Sequence, residues 1–171
     1  METNMAISMF EASVPSLKHI LGSLAAILRK AADHAGSRKI DQSVFISARL
    51  FPDMLPLIKQ VQIATDMSKL CAARLAGIDI PKFEDNETTF DDLQARIAKT
   101  IAFLDGIKVS QINGSEEREI VLQLHETKLE FKGKDFLLSW VLPNVYFHVT
   151  TAYAILRHNG VEIGKKDYLG G

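Results

Sequence analysis

The residues with the clearest chemical potential lie near the carboxyl end, where Asn144, His148 and Thr151 are spaced by four and three residues. Positions with this spacing share one face of a helix, so an amide, an imidazole and a hydroxyl are expected side by side. The helix around them is the most apolar of the chain, and polar groups buried there need partners. Two interpretations remain open: a pocket for a ligand or metal ion, and a core histidine satisfied by a neighbouring helix.

Three further residues are candidates for the same pocket. Gln60 lies one position before a core valine and is predicted to face inward, with a surface or helix-boundary position as the alternative. Trp140 and Tyr153 could line the pocket, although aromatic residues at helical spacing more often pack in a core. The sequence contains no GxGxxG, Walker A, HExxH, CxxC or GxSxG motif, so no common catalytic signature assigns an activity.

Length and composition narrow the class of protein. The 171 residues fit one domain, 1–171, that can bury a core without metal or disulfide support. The 20 basic and 21 acidic residues leave no basic surplus, so neither a nucleic-acid partner nor a membrane surface is expected. Cys71 is the single cysteine, and the segment Met1–Asn4 lacks the basic region of a signal peptide, which together predict a cytoplasmic protein.

One segment is long and uncharged enough to raise the question of a membrane span. Residues 136–156 carry no formal charge, and length alone would permit a crossing. Pro143, Asn144 and His148 lie at its middle, where lipid would penalise them. A buried central helix is therefore the favoured interpretation, and a span the alternative.

Hydrophobic periodicity predicts the first helix. Its apolar residues alternate in steps of four and three and form a stripe that faces a bundle: Phe10, Val14, Leu17, Leu21, Leu24 and Leu28. Pro15 lies inside the pattern, so the helix is expected either to begin near Ser13 or to be kinked. A glycine stop predicts its end near Gly36.

A second helix is predicted to begin at the segment Phe51–Asp53, because proline is tolerated in a first turn, and to end at Gly77. Cys71 lies on its core stripe, where a cysteine is usually an inert small hydrophobe. Asp66 and Lys69 are spaced as a surface ion pair.

The third helix is predicted to begin at a capping box formed by Thr89 and Asp92 and to end at Gly106. The period then changes from helical to alternating, which predicts a two-stranded hairpin that turns near Glu126–Thr127.

A last helix is predicted with Asp135 as its cap, an interruption at Pro143 and an end near Asn159–Gly160. Four long helices with modest connections predict an all-α fold, an up-down four-helix bundle with a short β-hairpin before the last helix.

Several segments together carry a resemblance that spans nearly the whole chain. They are Arg49–Met54, Ala73–Gly77, Glu84–Phe90, Glu116–Ile120, Leu142–Gly160 and Gly164–Gly170. This set resembles a bacterial family of unknown function that is grouped with the DinB/YfiT-like metalloenzymes. The resemblance implies a DinB-like four-helix bundle, often a homodimer. Many members of the wider group bind a divalent metal through three histidines, and some are thiol-dependent transferases or isomerases.

The family pattern places two metal-binding histidines on the last helix, four residues apart, and a third on the second helix. An arginine and a glycine follow the second histidine by nine and twelve positions, as Arg157 and Gly160 follow His148 here. By this correspondence Asn144 takes the place of the first histidine and Gln60 that of the third. Amide oxygens are weak ligands for zinc or nickel, so the resemblance implies a degenerate metal site and no confident cofactor.

Three functional hypotheses follow. In the first, the chain binds a small polar molecule in a central pocket without metal. In the second, it is a DinB-like transferase or hydrolase that uses His148 as a general base or as the one retained ligand. In the third, it is a structural dimer that holds no ligand.

Overall fold

The structure, a computed structural model, describes residues 6–171. The prediction that no signal peptide begins the chain rests on residues outside this range. The elements, in chain order, are α1 (Met9–Arg38), α2 (Gln42–Ile46), α3 (Leu57–Ala76), α4 (Phe90–Asp105), α5 (Val109–Ile112), β1 (Glu119–Leu124), β2 (Thr127–Lys132), α6 (Gly133–Asp135), a π-helical segment (Phe136–Val141), α7 (Leu142–His158) and α8 (Lys165–Leu169).

The four long helices α1, α3, α4 and α7 pack around one cluster of buried apolar side chains. α7 packs most extensively on α3, which sets the two helices that carry the candidate polar residues side by side. The predicted helical bundle with a hairpin before its last helix is therefore confirmed.

Helix α1 begins at Met9, four residues before Ser13, so the first of the two alternatives, a start near Ser13, is wrong. Ser8 caps it, since the Ser8 hydroxyl accepts from the Glu11 amide while the Glu11 carboxylate accepts from the Ser8 amide. This box fixes the first turn upstream of Pro15, which therefore lies inside the helix. The helix also runs past the predicted stop at Gly36 to Arg38, and Lys39 caps it in a left-handed conformation with φ of 55°.

The predicted start of α3 at Phe51–Asp53 is wrong. Helix α3 begins at Leu57 with Pro56 at its N-cap, and residues 47–56 form a loop that precedes it. Pro52 fits a first turn and Asp53 suits the positive end of a helix, but Pro56 is equally compatible with a helix start and is the proline at which α3 begins. The predicted end is confirmed, since Gly77 closes the helix at φ of 69°.

The capping box predicted for α4 is present, with the Thr89 hydroxyl accepting from the Asp92 amide at 3.1 Å. Arg96, on the same helix, binds the loop that joins α3 to α4. Its guanidinium donates to the Glu84 carbonyl, to Glu87 and to Asp66, so the loop is tied to both helices.

The surface ion pair predicted for Asp66 and Lys69 is half right. The two side chains do pair at 2.9 Å, but the Lys69 side chain is only 4% exposed. Its ammonium donates to the Pro81 carbonyl and lies over the Phe83 ring, because the loop covers it.

The hairpin is confirmed, with Ile120 opposite Phe131 and Leu122 opposite Leu129. Leu124 pairs with Thr127, so the turn residues are His125 and Glu126, one position earlier than predicted. Ile120 and Leu122 are buried, which anchors the hairpin to the bundle.

The chain after the hairpin differs from the prediction in its cap. Asp135 makes no capping hydrogen bond, and the helical path already begins at Gly133. A π-helical segment then leads into α7, whose first turn contains Pro143. The predicted end of α7 near Asn159 is confirmed.

Within residues 6–171, no helix combines the length and the apolar character needed to cross a membrane. The uncharged stretch 136–156 instead supplies much of the bundle core.

Candidate functional site

The centre of the candidate site is a hydrogen bond between two helices. Nδ1 of His148 on α7 lies 2.7 Å from Oε1 of Gln60 on α3. Gln60 is 2% exposed, so the inward orientation predicted for it is confirmed. His148 is half-buried at the edge of the α3–α7 contact.

Gln60 is held in one orientation by the loop before α3. Its Nε2 donates to the Leu55 carbonyl at 2.9 Å. A carbonyl can only accept, so the amide nitrogen must face Leu55 and Oε1 must face His148. An amide oxygen can also only accept, and Nδ1 of His148 therefore carries the hydrogen of this bond.

The second ring nitrogen of His148 is left for solvent or a ligand. Nε2 makes no hydrogen bond within residues 6–171. It is not one of the unpaired polar atoms that are fully buried, so it keeps some contact with solvent. Burial lowers the pKa of His148 below its ordinary value of 6.5, because desolvation disfavours the imidazolium. At neutral pH the ring is neutral, and Nε2 presents a lone pair.

Asn144 and Thr151 lie on the same flank of α7 as His148, and each is bonded to the helix backbone. Nδ2 of Asn144 donates to the Trp140 carbonyl at 2.7 Å. The Thr151 hydroxyl donates to the Phe147 carbonyl at 2.8 Å.

Trp140 and Tyr153, the aromatic candidates, are placed differently. The Trp140 indole packs on Phe131 of the hairpin at 5.5 Å between centroids, and its Nε1 is fully buried without a partner among the described residues. Tyr153 is five residues after His148, which turns it about 140° around the helix. It packs against Tyr168 of α8, at 6.5 Å, rather than beside the imidazole.

An open groove of about 490 Å³ follows the outer side of this flank. Thr151 and Phe147 line it from α7, and Leu50 and Met54 line it from the loop before α3. The Phe147 ring also meets the His148 ring edge-on at 5.2 Å, so the groove and the imidazole are neighbours.

The donor set does not fit the three-histidine metal site that the resemblance implies. His148 supplies one imidazole nitrogen, and both polar atoms of Gln60 are already engaged within the protein. Among residues 6–171, no group of three or more histidine, cysteine or acidic side chains could hold a metal ion. One imidazole and neutral oxygens make a weak site for a transition metal.

Sequence reasoning missed one component of the site, the Leu55 carbonyl. A backbone group leaves no signal in residue type, and the wrong start predicted for α3 placed Leu55 inside a helix. The proximity of His148 and Gln60 could be predicted from the sequence, because the family pattern places both residues at positions of the metal-binding histidines.

Comparison with known proteins places the fold in context. The model of a family described as a domain of unknown function, DUF1993, matches residues 9–169. The crystal structure of a DinB family member protein from Shewanella denitrificans is 40% identical in sequence and superposes with a TM-score of 0.85. The alignment covers 95% of this chain and 92% of that protein. No curated protein matches.

Proposed function

This chain belongs to the DUF1993 family and has a DinB-like fold, and from that premise we propose that it binds a small polar molecule without metal. The proposed site is the flank of α7 around His148, next to the open groove.

The observation that carries the proposal is the bond between His148 and Gln60. A histidine kept for packing alone has no need of one ring nitrogen open to solvent. Here the loop before α3 orients Gln60, Gln60 orients the imidazole, and Nε2 has no partner among the described residues. Side chains fixed by a second layer of hydrogen bonds are typical of binding sites.

The proposal is metal-independent because of the ligand chemistry. By the resemblance to the wider group, two of the three histidine positions of its metal site correspond to Asn144 and Gln60 in this chain. The Gln60 amide is engaged on both sides, so it cannot turn to a metal without losing the bonds to Leu55 and His148.

A thermal-shift screen of small polar molecules tests the proposal, because a ligand that binds the native state raises its apparent stability. We expect a hit that stabilises the wild type and the His158→Ala control, but not the His148→Ala variant. His158 is an exposed histidine at the end of the same helix. Hits that survive His148→Ala would contradict the proposed site around His148, and no hits at all would argue for the ligand-free structural dimer.

A second candidate function, general-base catalysis, is favoured by the lone pair on Nε2. A neutral imidazole oriented by an acceptor on Nδ1 can take a proton from a bound substrate. In this version the chain is a DinB-like transferase or hydrolase. Turnover that persists in His148→Ala would exclude it, and elemental analysis of the purified protein tests the metal-bound variant of this mechanism.

Two further features of the proposal come from the sequence. The resemblance implies a homodimer, which light scattering on the purified chain would test. The single cysteine suits a reducing compartment and favours a cytoplasmic location.

A further inference from the structure

Most hydrogen-bond donors of the polar side chains on the candidate flank are occupied by the protein itself. Asn144 donates one of its two amide hydrogens to the Trp140 carbonyl, and Thr151 donates its hydroxyl hydrogen to the Phe147 carbonyl. His148 donates its Nδ1 hydrogen to Oε1 of Gln60. The Oδ1 of Asn144, Nε2 of His148 and Oγ1 of Thr151 keep lone pairs.

We infer that this flank is rich in hydrogen-bond acceptors and takes a small molecule that presents N–H or O–H donors, most simply a primary amine or an amino alcohol. The inference rests on the proposed function and names the class of ligand for that site.

The geometry of α7 supports one shared ligand. Asn144 and His148 are one turn apart, and their Cβ atoms are expected about 5–6 Å from each other, as for any such pair on a helix. A single ammonium or amino alcohol with two or three donors spans that distance. Thr151, on the next turn, also lines the groove in which the apolar part of such a ligand would lie.

The same geometry disfavours anions. A carboxylate or phosphate needs donors, and of the donors of Asn144 and Thr151 only one amide hydrogen of Asn144 is left. His148 would have to gain a proton in a setting where burial opposes its charge.

Gln60 and the Leu55 carbonyl are positioning groups in this scheme. They do not touch the ligand but decide which nitrogen of His148 carries the hydrogen. If Gln60 were released, the ring could turn its donor outward, and the site would lose its central acceptor.

The tautomer can be measured by nitrogen NMR on the labelled wild-type protein at a pH where its imidazoles are neutral. We expect His148 to carry the hydrogen on Nδ1. His19 is an internal control of opposite sign, because its Nε2 lies 2.9 Å from the Leu169 carbonyl and must donate. A His148 with its hydrogen on Nε2 would overturn the inference.

The Gln60→Met variant keeps the length of the side chain and removes its acceptor. We expect the hydrogen of His148 to move to Nε2 in this variant while the His19 tautomer stays unchanged. A His148 that stays on Nδ1 would show that Gln60 does not position it. The wild-type spectrum decides the main question even if this variant folds poorly.

The ligand class is tested by titrating ethanolamine and acetate, at matched ionic strength, while following the His148 and Asn144 side-chain resonances. Ethanolamine should saturate the shifts at about one-tenth of the acetate concentration, since one hydrogen bond changes affinity by about that factor. Equal or absent shifts overturn the donor-bearing class. A broad screen in which only anions bind through His148 would also overturn the donor-bearing class. It would still support the proposed function, the binding of a small polar molecule at this site.

Discussion

Arg96 on α4 donates from Nη1 to Oε1 of Glu87 at 2.8 Å, and the two side chains are 1% and 7% exposed. This pair fixes the end of the loop between α3 and α4 just before the capping box of α4. Nε of Arg96 also donates to the Thr65 hydroxyl, so the guanidinium joins the loop to both helices. Arg96 also pairs with Asp66 and Asp85, whereas the buried Glu87 carboxylate has Arg96 as its cation.

The first prediction concerns removal of the buried cation. Arg96→Met should lower the free energy of unfolding by about 3 kcal/mol, because Glu87 is left buried without its partner. Urea denaturation measures the effect.

Lys18→Met is the matched control, since Lys18 pairs with Asp105 at an exposed site where both side chains are well solvated. An exposed pair contributes about 0–1 kcal/mol. If the two variants lost similar free energy, the Arg96 network would not stabilise the loop.

The second prediction concerns acid. Burial raises the pKa of Glu87 and of Asp85, but their bonds to Arg96, with Gln62 or Lys59, outweigh it, and both fall below the ordinary 4.5 and 3.8. Because the folded-state values are the lower ones, the stabilisation is present above the unfolded values and is lost as the pH falls through the folded ones. Unfolding free energy measured against pH should therefore decline below about pH 4.5.

Glu87→Gln supplies the comparison for this acid prediction. It keeps an acceptor near Arg96 but has no carboxylate to titrate, so its decline in acid should be shallower than that of the wild type. Parallel curves for the two proteins would assign the acid loss to other groups.

The sequence specified the elements whose signals are local. The stripe of α1, the Thr89–Asp92 box and the Gly77 stop each depend on residues within a few positions of one another, and each is present. The start of α3 was missed because two prolines competed for it. The choice between them is made in the folded chain, where the Leu57 amide bonds to the Ala48 carbonyl.

The candidate site also has one part that local spacing predicts and one part that it does not. Helical spacing was enough to place Asn144, His148 and Thr151 on one flank of α7. The orientation of Gln60 depends on the loop that precedes α3, and the burial of Lys69 depends on the loop that joins α3 to α4. Neither loop has a periodicity from which such contacts could be read.

The third prediction concerns Cys71, whose thiol is fully buried in α3. Burial raises the pKa of the thiol well above its ordinary value, so little thiolate forms in the native state. We expect no reaction with a chromogenic disulfide reagent in the native protein and one thiol per chain after denaturation. Rapid native labelling would show that the α3 core opens more readily than its packing implies.

The last prediction compares two glycines in different surroundings. A Cβ at Gly133 would lie 1.9 Å from the Ser115 carbonyl oxygen, and since that atom belongs to the backbone, the hairpin exit must shift to admit it. Gly133→Ala should therefore lower the free energy of unfolding by about 2 kcal/mol.

A Cβ at Gly22, exposed in the middle of α1, would meet nothing within 4 Å. Gly22→Ala should raise the free energy of unfolding by about 0.5–1 kcal/mol, because alanine loses less backbone entropy in a helix. Chemical denaturation should give changes of opposite sign in the free energy of unfolding for the two variants. A Gly133→Ala variant as stable as the wild type would contradict the close approach of α6 to Ser115.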